Sequence, residues 1–331
     1  MTAGVASRSR SRGVDNIDTR TFIRILRIEG LIPFTGVAIV LGGVVTLWEA
    51  GTAGTDWGLF TLAAIAALLI HIDAHIWNDI MDLEIEWHEK SEETGRDRPL
   101  VFGWATVGDY RRFSAVVTVI LLVLGAYLTA HRIWIPLLLF LGFIFDYGYN
   151  HPRFALAYKP FTEWYIFPWL VVGVTVTVVY AATGIFSLLA FIVSVLHGLT
   201  VTCFVVSMMR RDTNSDRRGD KFTSSVLFPA LPHAAIYGIV TLVASLLAYF
   251  PLAQVLGNPA AAALIVLSTA IIAGVNIFLG AGVDRLSTRN LHTVFPGFEK
   301  ETHGFVMKQV GVSMVYSVVI TGILLSLRRM I

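Results

Sequence analysis

Nine mostly apolar stretches, near residues 31–49, 57–77, 113–131, 133–148, 165–182, 185–209, 225–249, 258–280 and 309–327, constrain this chain more than any other feature. A hydrocarbon core about 30 Å thick is crossed by about 20 apolar residues in a helix. The expected fold is therefore an all-α integral membrane protein, a multi-pass bundle of about nine transmembrane helices. Composition agrees: 55% of the 331 residues are apolar and 15% charged. A soluble domain carries roughly 25% charged residues, so too little polar surface is present to cover a water-soluble globule. Disorder, a disulfide scaffold and nucleic-acid binding are disfavoured by the same figures. A net charge of +2 calls for no acidic macromolecular partner, and the single cysteine, Cys203, excludes an internal disulfide.

Short turns at His131-Arg132, Thr183-Gly184 and Gly257-Asn258-Pro259 alternate with long polar segments at 1–30, 78–112, 149–164, 210–224 and 281–308. Of the 25 Lys and Arg residues, only Arg132, Arg328 and Arg329 fall outside those long segments. The positive-inside bias then places the N-terminus and every long loop, with any site they build, in the cytoplasm, which is the inner face of the cell inner membrane if the source is prokaryotic. The basic, Ser-rich start from Ser7 to Arg12 has no adjacent apolar segment ending in a cleavage site, and reads as a disordered tail over 1–20. Residues 21–331 form a single transmembrane domain in this reading.

The acids are placed unlike ordinary loop charges. The second apolar stretch ends in Asn78-Asp79-Ile-Met-Asp82-Leu-Glu-Ile-Glu86, and at 3.6 residues per turn the four polar positions share an arc of roughly 100°. The sixth ends in Asp212, Asp216 and Asp220, within roughly 80° if one helix runs through all three. Both clusters sit at helix C-termini, where the dipole disfavours anions. Six carboxylates at one membrane face require cations, and hard oxygen ligands suit Mg²⁺. Carboxylate-held Mg²⁺ in a membrane grips a diphosphate and neutralises it as a leaving group, so that an allylic carbon–oxygen bond can break. Arg98, Lys159, Arg217 and Lys221 are candidate cations for the same anion, and an apolar interior suits an isoprenoid tail.

With those residues in view, the sequence resembles the UbiA superfamily of intramembrane prenyltransferases. The family pattern N-D-x-x-D-x-x-x-D is matched by Asn78 to Glu86, with glutamate in the last place, and D-R-P-L stands at Asp97-Arg98-Pro99-Leu100. The second pattern, D-x-x-x-D-R-x-x-x-K-x-T, is matched from Asp212 through Asp216, Arg217 and Lys221 to Thr223. The connection from Tyr149 through Leu156, Tyr158 and Lys159 to Glu163 is similar to a stretch of the menaquinone-pathway branch, whose members resemble 1,4-dihydroxy-2-naphthoate prenyltransferases. The resemblance covers roughly 20–325. It implies nine helices and Mg²⁺-dependent transfer of a prenyl group from an isoprenoid diphosphate to a small acceptor, often aromatic, as in quinone biosynthesis. By position, Asn78, Asp79, Asp82, Asp212 and Asp216 would hold the Mg²⁺–diphosphate, joined by Glu86 and Asp220, with Arg98, Lys159 and Lys221 on phosphate. Asp220 stands where a glycine is common, and the glutamate-rich segment from Trp87 to Arg96 is longer than usual.

His71 and His75 precede Asn78 on the carboxylate face, where they would orient a polar acceptor or take a proton; buried histidines bonded to neighbouring helices are the plainer reading. Tyr147, Tyr149 and Tyr158 are candidates to stabilise a carbocation, against an interfacial aromatic belt. Asp73 reads as pairing within the bundle, Asp146 as a minor candidate for substrate contact, and 281–308 as a solvated loop. Two other functions fit the same residues: a membrane terpene cyclase, in which the ionised chain attacks itself, and an ion transporter using the acidic clusters. The transporter reading is weakened by the lack of ionisable groups at mid-membrane.

Overall fold

The computed structural model describes residues 18–84, 98–151, 153–165, 167–289 and 298–328, and among them every regular element is helical. An N-terminal helix, α1 (Thr19–Leu26), is capped by the Asp18 carboxylate, which accepts from Thr21 N. It leads through a short turn of helix, Ile28–Leu31, and a π-helical segment, Ile32–Gly36, into α2 (Val37–Ala50). The wide turn falls at Pro33, whose ring removes a backbone donor from the α-helical ladder. Then follow α3 (Trp57–Met81), α4 (Val107–His131), α5 (Ile135–Asn150), α6 (Phe167–Thr183), α7 (Leu188–Arg211), α8 (His233–Leu247), α9 (Tyr249–Leu256), α10 (Pro259–Arg289) and α11 (Phe298–Arg328).

Each of the nine apolar stretches is helical over most of its length. Among the described residues, seven helices are long and apolar enough to cross a bilayer, and α8 with α9, bent by 42°, is an eighth if the pair is taken as one broken span. The stretch at 133–148 yields only the 16-residue α5, about 24 Å long at 1.5 Å per residue. The seventh stretch, expected from 225, starts its helix at His233 because Pro229 and Pro232 break the run, leaving Ser224–Leu227 as a separate turn. The expected solvated loop at 281–308 is also revised. α10 continues through Asp284 to Arg289 and α11 begins at Phe298, because Asp284 is neutralised inside the bundle by Arg210 and can stay helical.

α7 is the central helix, packed against α2, α6, α8, α10 and α11 and buried along nearly its whole length. With no hydrophobic drive between helices in lipid, such packing relies on close approach of small residues. Gly198 of α7 is one such point: a Cβ there would stand 2.6 Å from the Pro168 carbonyl of α6. Gly280 of α10 is another, where a Cβ would stand 2.9 Å from the backbone of Ala234 in α8. Large side chains such as Leu122, Val123, Phe140, Leu247, Phe278 and Val318 point outward, as a lipid-facing surface requires.

Candidate active site

α3 delivers the first acidic motif by stopping at Met81, with the Asp82 N–H bonded to the Asn78 carbonyl. Asp79 is 3% exposed and is held by two arginines: Nη1 of Arg27 donates to its Oδ1 at 3.0 Å, and Nη1 of Arg98 to the same oxygen at 2.6 Å. The Tyr110 hydroxyl lies 3.4 Å from the other oxygen. Arg27 also donates to Asn78 Oδ1 at 3.3 Å. Its reach depends on the backbone, since Arg27 sits in the left-handed region (φ 48, ψ 49) between α1 and the next turn. Thr106 and Asp109 form a capping box at the start of α4, which fixes the loop carrying Arg98.

Asp82, also 3% exposed, faces the second motif. Its Oδ1 lies 3.0 Å from the Tyr158 hydroxyl and 3.4 Å from Nζ of Lys221, whose ammonium stands 5.0 Å over the Tyr158 ring. Two bonds stitch the loops behind this contact: Phe222 N donates to the Tyr158 carbonyl at 3.1 Å, and Phe161 N to Ser224 Oγ at 2.6 Å. Burial alone would lower the Lys221 pKa, but the carboxylates of Asp82 and Asp216 hold it above the ordinary lysine value. Tyr158 is pushed up by burial and by Asp82 beside it, so it acts as a donor.

The second motif is not one continuous helix. α7 ends at Arg211, a short helix covers Thr213–Arg218, and Asp220 adopts the left-handed region at φ 54. That turn folds the chain back so that Lys221 N bonds to the Asp216 carbonyl at 2.9 Å. It also explains why a glycine suits the position, since aspartate is among the few other residues that tolerate it. The Asp220 residue is exposed, so the expected third carboxylate on one helical face does not form. Asp216 is 4% exposed. Asp212 is half-buried and paired with the fully buried Arg211 at 2.6 Å, and Arg211 in turn meets His303 of α11 at 3.2 Å.

The remaining candidates divide. Tyr149 lies within electrostatic reach of Lys221, Asp82, Asp216 and Arg27. His71 Nδ1 pairs with Thr35 Oγ1 at 2.7 Å, and its ring stands 4.5 Å from that of His75. His75 packs on Gly30, where a Cβ would come within 2.9 Å of Nε2. Lys159 and Arg217 are exposed, and Tyr147 turns outward onto Phe143 and His151. Asp146 accepts from Asn150 Nδ2 at 2.8 Å. Glu86 and Asp97 lie outside the described residues. Arg27 and Arg211 carry no signal in the sequence beyond being basic, and both had counted only towards topology.

Among the described residues, no three acidic, His or Cys side chains gather closely enough to hold a metal ion alone. That fits Mg²⁺, which is bound through one or two carboxylates plus substrate phosphates. The donor chemistry also fits: Asp82 of the first motif accepts the Lys221 ammonium of the second at 3.4 Å, and Asp216 lies within electrostatic reach of that ammonium.

A model of the UbiA prenyltransferase family matches residues 37–287. The chain belongs to that family. It is thus a membrane prenyltransferase with several apolar helices spanning the bilayer. No curated protein matches it. Among solved structures, a UbiA homologue from Aeropyrum pernix K1 in its apo form is 19% identical with a TM-score of 0.58, covering 91% of this chain and 98% of that one. A UbiA homologue from Archaeoglobus fulgidus bound to GPP and Mg²⁺ is 13% identical with a TM-score of 0.56, covering 91% and 99%. A digeranylgeranylglyceryl phosphate synthase is 16% identical with a TM-score of 0.58, covering 91% and 98%. At these identities the likeness establishes the UbiA fold. It extends from the matched segment to nearly the whole chain.

Proposed function

We propose that this UbiA family member transfers a prenyl group from an isoprenoid diphosphate to a small, aromatic acceptor at the cytoplasmic face of the membrane, in the making of a quinone or related prenyl lipid. The observation that carries the reading is Lys221 of the second motif, whose ammonium lies 3.4 Å from Asp82 of the first. Two motifs separated by more than a hundred residues are thus joined through one ammonium. Asn78, Asp79, Asp82, Asp212 and Asp216 would hold Mg²⁺, with Glu86 as a further oxygen donor. When bound, the metal supplies positive charge to the leaving diphosphate. The A. fulgidus homologue bound to GPP and Mg²⁺ supports that ligand class.

The chain's own residues account for the rest. Arg27, Arg98 and Lys221 present cationic donors to the diphosphate, with Lys159 and Arg217 at the exposed rim. Burial of Asp82 and Asp216 keeps bulk water from the allylic carbon once its bond to oxygen loosens. Tyr149 lies within electrostatic reach of Lys221, Asp82 and Asp216, and its ring would favour a developing carbocation. His75, with His71 fixed through Thr35, would orient the acceptor or accept the proton that its ring loses.

The test is diphosphate release by purified protein in detergent, with geranylgeranyl diphosphate and either Mg²⁺ or EDTA, with and without a panel of aromatic acceptors. Metal-dependent release coupled to one prenylated acceptor is the expected result. Release without acceptor, giving a cyclic hydrocarbon, replaces transfer by cyclisation. Absence of release with any donor length overturns the proposal.

A further inference from the structure

The helix α1 presents an outward surface that the bundle does not use. Its inward side is narrow: Thr21 and Ile25 are buried, and Ile25 packs in one cluster with Ile76 of α3, Ala105 and Tyr110. Phe22 and Ile23 face outward at 42% and 45% exposure, and Ile28 follows at 39%. Basic and aromatic groups surround them. The guanidinium of exposed Arg20 lies 5.4 Å over the ring of Trp104, itself 39% exposed. Phe22 meets Phe113 edge-on at 5.6 Å, directly beside exposed Arg111 and Arg112. Half-buried Arg24, one turn after Arg20 on α1, joins them to make four arginines, of which Arg112 also lies 3.9 Å from Asp109.

A helix with exposed apolar residues beside an arginine face lies in the plane of the membrane interface, and tryptophan prefers headgroup depth. Basic residues there are attracted to anionic lipid by about 1 kcal/mol each. We propose that α1, Trp104 and Arg111-Arg112 bind anionic phospholipid headgroups of the surrounding bilayer, and that Arg27 couples this surface to the first acidic motif. The coupling is short. Arg27 follows the last residue of α1 and bonds Asn78 and Asp79, while Ile25 rests on Ile76, one turn before Asp79. Lifting or tilting α1 therefore displaces the guanidinium from the carboxylate it neutralises. The lipid-binding part stands without the transferase reading; the link to the donor rests on it.

The experiment compares full-length protein in nanodiscs of phosphatidylcholine with nanodiscs containing phosphatidylglycerol as well. Thermal stability and, with geranylgeranyl diphosphate, the donor KM are measured. The wild type should unfold at higher temperature and show a KM lower by about threefold or more in the anionic discs, a modest share of what four interfacial arginines contribute. The variant R20Q/R24Q/R111Q/R112Q should lose both responses, and the corresponding four-lysine variant should keep them. Equal stability and KM of the wild type in both lipids, or an unchanged response in the glutamine variant, overturns the proposal. Because the only cysteine, Cys203, is buried, Ile23→Cys gives a single spin-label site without altering the arginines. Its accessibility to oxygen and to a polar relaxation agent should place the label at headgroup depth; a label in bulk water refutes the docking. Lipid-dependent stability with no turnover in either disc would sink the transferase reading while leaving this surface standing.

Discussion

Replacing Lys221 by methionine isolates the electrostatics of the site, because it removes the ammonium while keeping most of the apolar stem. The ammonium lies 3.4 Å from Asp82, and side-chain exposures are 13% and 5%. At an effective dielectric of about 20 that separation corresponds to about 5 kcal/mol of attraction. Much of this repays desolvation, and removing one partner of a buried pair costs about 3–5 kcal/mol because the other charge is left uncompensated. Spread over 331 residues at about 2.1 cal/mol/K each, that loss lowers the unfolding midpoint by about 4–7 °C. Thermal unfolding in EDTA should show the deficit, and Mg²⁺ should remove most of it by supplying positive charge beside Asp82. The sign with pH is fixed by the raised Lys221 pKa: its contribution is full below the ordinary lysine value of 10.5 and is lost only as pH rises through the higher folded value. The deficit should therefore be constant across neutral pH. A metal-free Lys221→Met protein as stable as the wild type, or one that Mg²⁺ rescues no more than the wild type, would refute the shared-cation geometry.

Tyr158→Phe removes one charge-assisted bond to Asp82, worth about 1.5–3 kcal/mol, and should raise the Mg²⁺ concentration needed for half-maximal diphosphate release by about tenfold or more. Arg210 is fully buried with Nε 2.9 Å from Asp284, which also accepts from the N-terminus of α8, so Arg210→Met should cost about 3–5 kcal/mol in a denaturation assay. The double variant Arg210→Met/Asp284→Leu should recover much of that loss, leaving the deficit of the α8 N-terminus. Gly198→Ala drives a methyl group to 2.6 Å from the Pro168 carbonyl and should lower thermal stability by about 1–3 kcal/mol through forced separation of α6 and α7. An alanine variant as stable as the wild type would show that the two helices are not in close contact.

Much of the bundle was legible because a membrane chain makes its exceptions conspicuous. Asp79, Asp82, Asp212 and Asp216 stand at the ends of apolar runs, where a carboxylate is costly unless it is used. What could not be read depends on backbone turns. Arg27 reaches Asp79 only through a left-handed residue between two short helices, and a count of basic residues cannot distinguish it from Arg20 or Arg24. Regular 3.6-residue spacing placed Asp220 with Asp212 and Asp216, whereas the helix stops at Arg211 and a left-handed turn sends Asp220 outward. Charge in 281–308 looked like solvated loop because the partner of Asp284, Arg210, lies 74 positions away in the chain. The connection between Tyr149 and Glu163 contributes Tyr158 to Asp82, yet leaves Lys159 exposed beside it.

The brevity of α5 has a consequence for the lipid itself. At about 24 Å it falls about 6 Å short of a hydrocarbon layer about 30 Å thick. Its outer face is built of Leu137, Phe140, Leu141, Phe143 and Ile144, so acyl chains must adjust to it. Hydrophobic mismatch of this kind is met by local thinning of the leaflet. Thinning there would fall beside Tyr149, near the end of α5, and beside the connection that carries Tyr158. An amphiphile with a polar head and a long hydrocarbon tail would there meet a shorter apolar path between headgroup depth and the bilayer interior.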